Sequence, residues 1–149
     1  MKVNSIINRC IELLDIDSNK EDLLHCFNII ENDLALDYFP LYETQQCDSK
    51  IVYFSELKKN IVRMVDCNCK FKIYPDCIKS KENITEIKYT YVPEEKDLYD
   101  DCSYGDEYFN CFIYGVISEY LLCQRFYEEA ALWNIKYKKE IQKLCEVRK

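Results

Sequence analysis

Ten cysteines, one histidine and a few adjacent carboxylates are the side chains with which this sequence could do chemistry. The cysteines are Cys10, Cys26, Cys47, Cys67, Cys69, Cys77, Cys102, Cys111, Cys123 and Cys145. Their only close pair is Cys67-Asn68-Cys69, a CxC, and no CxxC occurs, so the spacing usual for a zinc site is missing. A Ser–His or Cys–His dyad would have to use His25, the sole histidine. It falls in an expected helix beside Cys26, with no glycine-shaped turn nearby to present a nucleophile, and reads as an exposed helix residue. The adjacent carboxylates Glu94-Glu95, Asp100-Asp101 and Glu128-Glu129 do not face one site, because sequence neighbours point apart. Asp66 and Asp76 lack the spacing of a metal-dependent nuclease. The only glycines, Gly105 and Gly115, form neither GxGxxG nor GxxxxGK[ST]. The expectation is a non-enzymatic chain with no catalytic centre, no cofactor and no metal.

Disulfides are not expected either. Met1-Lys2-Val3-Asn4 leads into an amphipathic helix without the pattern of a secretory signal. Cys10, Cys26, Cys111 and Cys123 fall on apolar helix faces, where a free thiol behaves as a small hydrophobe. The expected compartment is a reducing cytoplasm.

The elements that would position these residues follow from periodicity. Asn4 to Leu14 reads as a helix with Ile6, Ile7, Cys10, Ile11 and Leu14 inward, capped by Asn4 or Ser5. Ser18 with Glu21 is a capping-box pattern opening a second helix, which runs to about Tyr38 with Leu23, Leu24, Phe27, Ile30, Leu34 and Tyr38 inward. Pro40 ends it. The period then changes. Lys50 to Phe54, Ile61 to Val65 and Phe71 to Tyr74 read as short strands, and Ser55 to Asn60 as a turn or one helical turn. Ile84 to Val92 alternates, with Ile84, Glu86, Lys88 and Thr90 on one face and Thr85, Ile87, Tyr89 and Tyr91 on the other. Pro93 stops it. An acidic loop follows, and Asp106 or Ser103 is expected to cap a helical hairpin. Its first helix carries Tyr108, Phe112, Val116 and Tyr120 at helical spacing; its second carries Phe126, Ala130, Trp133, Tyr137, Ile141 and Leu144.

The fold class expected is therefore α+β and mainly helical: an N-terminal helix pair, central short antiparallel strands and a C-terminal helical hairpin. One domain over 1–149 is expected, helical over 1–40, with a β-rich insertion over 41–93, an acidic loop over 94–105 and the hairpin over 106–147. No apolar run is long enough to span a membrane, so no membrane partner is expected.

Charge is unevenly spread across a net −7. From Glu94 to Glu107, seven acidic side chains face only Lys96; from Asn134 onward, six basic side chains face two acidic ones. Overall acidity argues against a sequence-specific DNA binder. Thirteen tyrosines supply stiff amphipathic contact area suited to interfaces, although an AT-rich coding sequence would also inflate Tyr, Asn, Ile and Lys together.

The run Tyr108, Tyr114-Gly115-Val116, Glu119-Tyr120, Tyr127-Glu128-Glu129-Ala130-Ala131-Leu132-Trp133, Lys136-Tyr137 and Glu140-Ile141 resembles the closing hairpin of tailed-bacteriophage head–tail connector (portal adaptor or head completion) proteins. The second helix ending Asp33-Leu34-Ala35-Leu36-Asp37-Tyr38-Phe39-Pro40-Leu41 is similar to the same class. So is the strand end Tyr89-Thr90-Tyr91-Val92-Pro93. The resemblance implies a structural virion protein of the phage neck, assembled in the bacterial host cytoplasm. Such proteins form a homo-oligomeric ring, commonly a dodecamer, docked under the portal protein. The ring continues the DNA channel, lets double-stranded DNA pass without tight binding, and offers a platform to the next neck or tail-completion protein. A second resemblance, of Tyr127-Glu128-Glu129-Ala130 and Tyr137 to one tetratricopeptide helix, leaves a non-enzymatic helical adaptor as the alternative. Only one copy is visible, and such solenoids need about three repeats.

Candidate interface residues are Lys136, Lys139, Lys143, Arg148 and Lys149, which equally suit a solvated helix end complementing its dipole. The acidic residues Glu94, Glu95, Asp97, Asp100 and Asp101 are candidates to face a channel or a partner, or form a solvated connection. Tyr120, Phe126, Trp133 and Tyr137 are the expected hairpin core.

Overall fold

A computed structural model describes residues 1–16 and 19–147. Ser18 of the expected capping box, and Arg148 and Lys149 of the candidate interface, lie outside the described residues. The fold is α+β and mainly helical, as the periodicity implied. It comprises two compact units: residues 1–33 with 95–149, and residues 34–94.

The first unit is a helical bundle. Helix α1 is Val3–Leu14, α2 is Lys20–Asp33, α3 is Phe109–Cys123 and α4 is Tyr127–Val147. Helix α3 is the hub, packed by α1, α2 and α4. That role explains why its buried residues run almost all round it, from Cys111 through Ile113 and Gly115 to Ile117 and Leu121. Phe27 of α2 stacks on Phe112 with ring centroids 5.1 Å apart. Gly115 lets α4 come close: a methyl group there would sit 2.8 Å from the buried Tyr137 ring. The Tyr137 hydroxyl donates to Asp33 Oδ2 at 2.8 Å, and Ser118 Oγ donates to the Ala130 carbonyl at 3.0 Å.

The corner between α3 and α4 closes without glycine. Arg125 takes the left-handed conformation at φ 65°. Its N–H donates to the Leu122 carbonyl at 3.1 Å, and the Phe126 N–H to the Leu121 carbonyl at 2.9 Å. This is the paired Schellman pattern that satisfies the last carbonyls of a helix. It also corrects one expected core residue. Phe126 is 54% exposed, because its backbone closes the corner before α4 begins and its side chain lies ahead of the buried stripe. Tyr120 and Tyr137 are buried and Trp133 is half-buried.

Two expected caps are also corrected. Asn4 and Ser5 lie inside α1, where no side-chain cap is made. The N–H groups of Val3 and Asn4 instead donate to the carbonyls of Asp100 and Leu98, at 3.1 and 3.0 Å. Neither Asp106 nor Ser103 caps α3; a 3₁₀ turn over Asp106–Tyr108 leads into it without a side-chain cap.

The second unit is a sheet. It opens with one π-spaced turn, Leu34–Tyr38, where α2 was expected to continue. Strand β1 is Leu41–Tyr53, β2 is Asn60–Cys67, β3 is Lys72–Ile73 and β4 is Cys77–Val92. All pairs are antiparallel, in the order β1-β4-β2, with β3 also paired to β4. Val52, Ile78, Ile84, Ile87 and Tyr89 form its buried core. The two-face alternation expected of 84–92 is broken, since Ile84 and Ile87 both point inward. The pairing with β1 shifts register beside this break, where Gln46 faces Glu86 but Ser49 faces Ile84, with the extra residue on β1. Asn68 holds this irregularity, its Oδ1 accepting from the N–H groups of Thr85 and Glu86 at 2.9 and 3.3 Å.

Candidate interaction surfaces

The acidic segment is a strap fastened to the helical unit, not a free loop. Glu31 of α2 is only 1% exposed and accepts from Lys96 Nζ at 2.9 Å and from the Ser103 N–H at 3.0 Å. Asn28, one turn earlier, accepts from the Lys96 N–H at 2.8 Å and donates to its carbonyl at 3.1 Å. Tyr104 is buried against Tyr108 and Phe112, with centroids 4.8 and 5.9 Å apart. So Lys96, the one cation in the run, is the residue that anchors it.

The candidate acidic residues divide accordingly. Asp100 Oδ2 accepts from the Asp97 N–H at 2.8 Å, and Asp101 pairs with Lys2 at 3.1 Å. Glu95, Asp97, Asp100 and Asp101 all face solvent, as does Glu94 at the end of the sheet unit.

Helix α4 presents two apolar stripes. Ala130, Tyr137 and Ile141 form the buried one. The other is unpartnered: Leu132 is 63% exposed and Ile135 51%. With Trp133, Lys136 and Lys139 they line a shallow depression of about 400 Å³. Trp133 and Lys136 are shared with a second cleft, of about 210 Å³, lined also by Arg9, Leu13 and Tyr114. Lys136 Nζ sits 4.5 Å from the Trp133 ring, a cation–π contact that holds the lysine along the rim. Lys139 is exposed, and Lys143 pairs with Glu140 at 3.2 Å. Leu132 and Ile135 lie off the helical stripe that contains Trp133 and Tyr137, which is the stripe the sequence spacing marks. Their signal was the surplus of apolar positions on α4, too many for one face.

The thiols sort by burial. Burial pushes Cys10, Cys26, Cys102 and Cys111 up to about 12. Cys67 and Cys69 approach to 3.9 Å, and Cys69 Sγ lies 3.1 Å from Ser80 Oγ. Among the described residues no three His, Cys, Asp or Glu side chains converge as a metal site would require. His25 is exposed on α2. A cleft of about 190 Å³ at Asp33, Glu119 and Tyr137 has Gly115 in its wall, and the Tyr137 hydroxyl there already serves Asp33. No helix is long and apolar enough to cross a membrane among the described residues. The chain matches no protein-family model and no curated protein.

Proposed function

We propose that this chain is a non-enzymatic structural virion protein of a tailed-phage neck. In this reading it assembles into a ring beneath the portal protein, continues the DNA channel and presents a platform to the next neck or tail component. The observation that carries the reading is the unpartnered stripe of Leu132 and Ile135 beside Trp133, rimmed by Lys136 and Lys139. Two large aliphatic side chains left half in water side by side with Trp133 favour a partner. Covering them contributes about 1 kcal/mol or more each, given what full burial of such a side chain yields. A helical face packs readily against another helix, and a heterologous contact of that kind closes into a ring.

The exposed acidic strap supports the same reading, since a surface that repels phosphate lets DNA slide. Leu132→Glu with Ile135→Glu tests the interface. Both side chains already face solvent, so the variant keeps its helical circular dichroism and melting temperature. It loses co-sedimentation with itself or with the portal protein encoded in the same gene neighbourhood. A doubly substituted chain that still assembles would remove the α4 face from the interface.

A further inference from the structure

Four lysines crowd one face of the ribbon that β3 makes with β4. Lys72 stands directly opposite Lys79, and Ile73 opposite Ile78. The same antiparallel register carried outward sets Lys70 opposite Lys81. Strand side chains alternate with a period of two, so Lys70, Lys72, Lys79 and Lys81 share one face. All four are exposed, and they line an open depression of about 840 Å³ with Tyr74 and Ser80. Residues two apart on a strand are about 6.6 Å apart, and cross-strand partners about 5 Å. Like charges placed directly opposite destabilise a sheet.

Within the unit only Lys79 has a partner that softens its charge, the Tyr74 ring 4.8 Å from its Nζ. Among the described residues none of the four forms an ion pair. The acids nearest in sequence are Asp76 in the turn and Glu82 at the rim. Residues 34–94 hold nine acidic and nine basic side chains, so four of the nine cations sit on this one ribbon while the unit as a whole is neutral. A local rule broken without ionic compensation inside the unit marks a functional position.

We propose that this lysine face seats the phosphate backbone of duplex DNA, without sequence preference. A duplex carries one negative charge per roughly 1.7 Å of axis, a density that matches four ammonium groups in so small a rectangle. Scattered carboxylates on a protein surface rarely reach it. Duplex is favoured over single strand because neither aromatic ring lining this face, Phe71 or Tyr74, is an open stacking platform. The Tyr74 ring is covered by Lys79 Nζ at 4.8 Å, and Phe71 is half-buried against the sheet core. Lysines act as point charges, and the lining holds no Arg, Asn or Gln to read base edges. The contact is weak and released by salt, so it guides DNA without locking it. It does not rest on ring formation, and a monomer would show it.

The test is fluorescence anisotropy of the full chain with a short labelled duplex, an oligo(dT) single strand and a polyglutamate competitor. Four phosphate contacts predict a roughly hundredfold loss of duplex affinity between about 50 and 200 mM salt. Lys70→Ala with Lys81→Ala should lower the salt slope by about two. Lys72→Glu separates binding from folding, since it converts the repulsive pair with Lys79 into an attractive one. Its melting temperature should hold or rise while duplex binding falls at least tenfold. Absence of duplex binding at about 50 mM salt, or unchanged affinity in Lys72→Glu, would overturn the proposal. So would tighter binding of the single strand, or displacement of duplex by polyglutamate at equal charge, which would make an acidic protein the occupant.

Discussion

Glu31 is the residue on which the helical unit's strap depends. It is a nearly fully buried carboxylate whose charge is met by Lys96 Nζ and the Ser103 N–H. Removing one member of such a pair strands the other, at a cost of roughly 3 kcal/mol. Lys96→Met should therefore lower unfolding free energy by about 3 kcal/mol in urea titrations. A loss under about 1 kcal/mol would mean that Glu31 finds water or another donor. The buried thiols make a second prediction at this scale. Cys10 and Cys111 have folded values near 12 against an ordinary 9.0, because burial disfavours the thiolate. The unfolded chain thus loses those protons first as pH rises. Their contribution is fully present below pH 9 and is lost between about 9 and 12, so denaturation midpoints should fall across that window. A flat midpoint would show that these thiols ionise as readily in the folded chain as in the unfolded one. Neither Glu31 nor Lys96 was legible in the sequence. A lone Glu on a helix and a lone Lys in an acidic run both look solvated until tertiary structure joins them. Phe126 misled for the opposite reason: it fits the helical spacing, but the chain turns at Arg125.

At the scale of elements, periodicity located all four helices and the stretch of strands, because apolar residues recur at helical spacing on each helix, even on α3, which is buried almost all round. It failed where the signal was not hydrophobic. The first half of β1, Leu41 to Ser49, holds Gln45, Gln46 and Asp48, so within the β-rich insertion it carries no strong strand pattern of its own. The break in β4 was invisible because its holder, Asn68, comes from another part of the chain. The helix start at Val3 was displaced because backbone carbonyls of a distant strap, not a local side chain, receive its N–H groups. The α3–α4 corner offers a direct check. Arg125 occupies a left-handed position that glycine adopts freely. Arg125→Gly should raise stability by about 1 kcal/mol, read as a higher thermal midpoint. A lower midpoint would mean that the arginine side chain contributes more than its strained backbone costs.

At the scale of the whole molecule, the two units divide charge between them. The helical unit holds the entire net −7, while the sheet unit is neutral with a concentrated lysine face. Helix α4 of the helical unit carries an exposed aliphatic stripe beside Trp133. A subunit built to be covered accounts for the stripe. The candidate site was only half legible from sequence. The lysines of α4 were visible as a basic tail, but which apolar residues lie beside them depends on how the helix is rotated on α3. The measurement that bears most directly on this account is the mass of the purified chain by light scattering, alone and mixed with the portal protein of the same gene neighbourhood. A ring, or a subunit recruited onto the portal and released by Leu132→Glu with Ile135→Glu, is the predicted result. A monomer indifferent to the portal would contradict it and favour the helical adaptor.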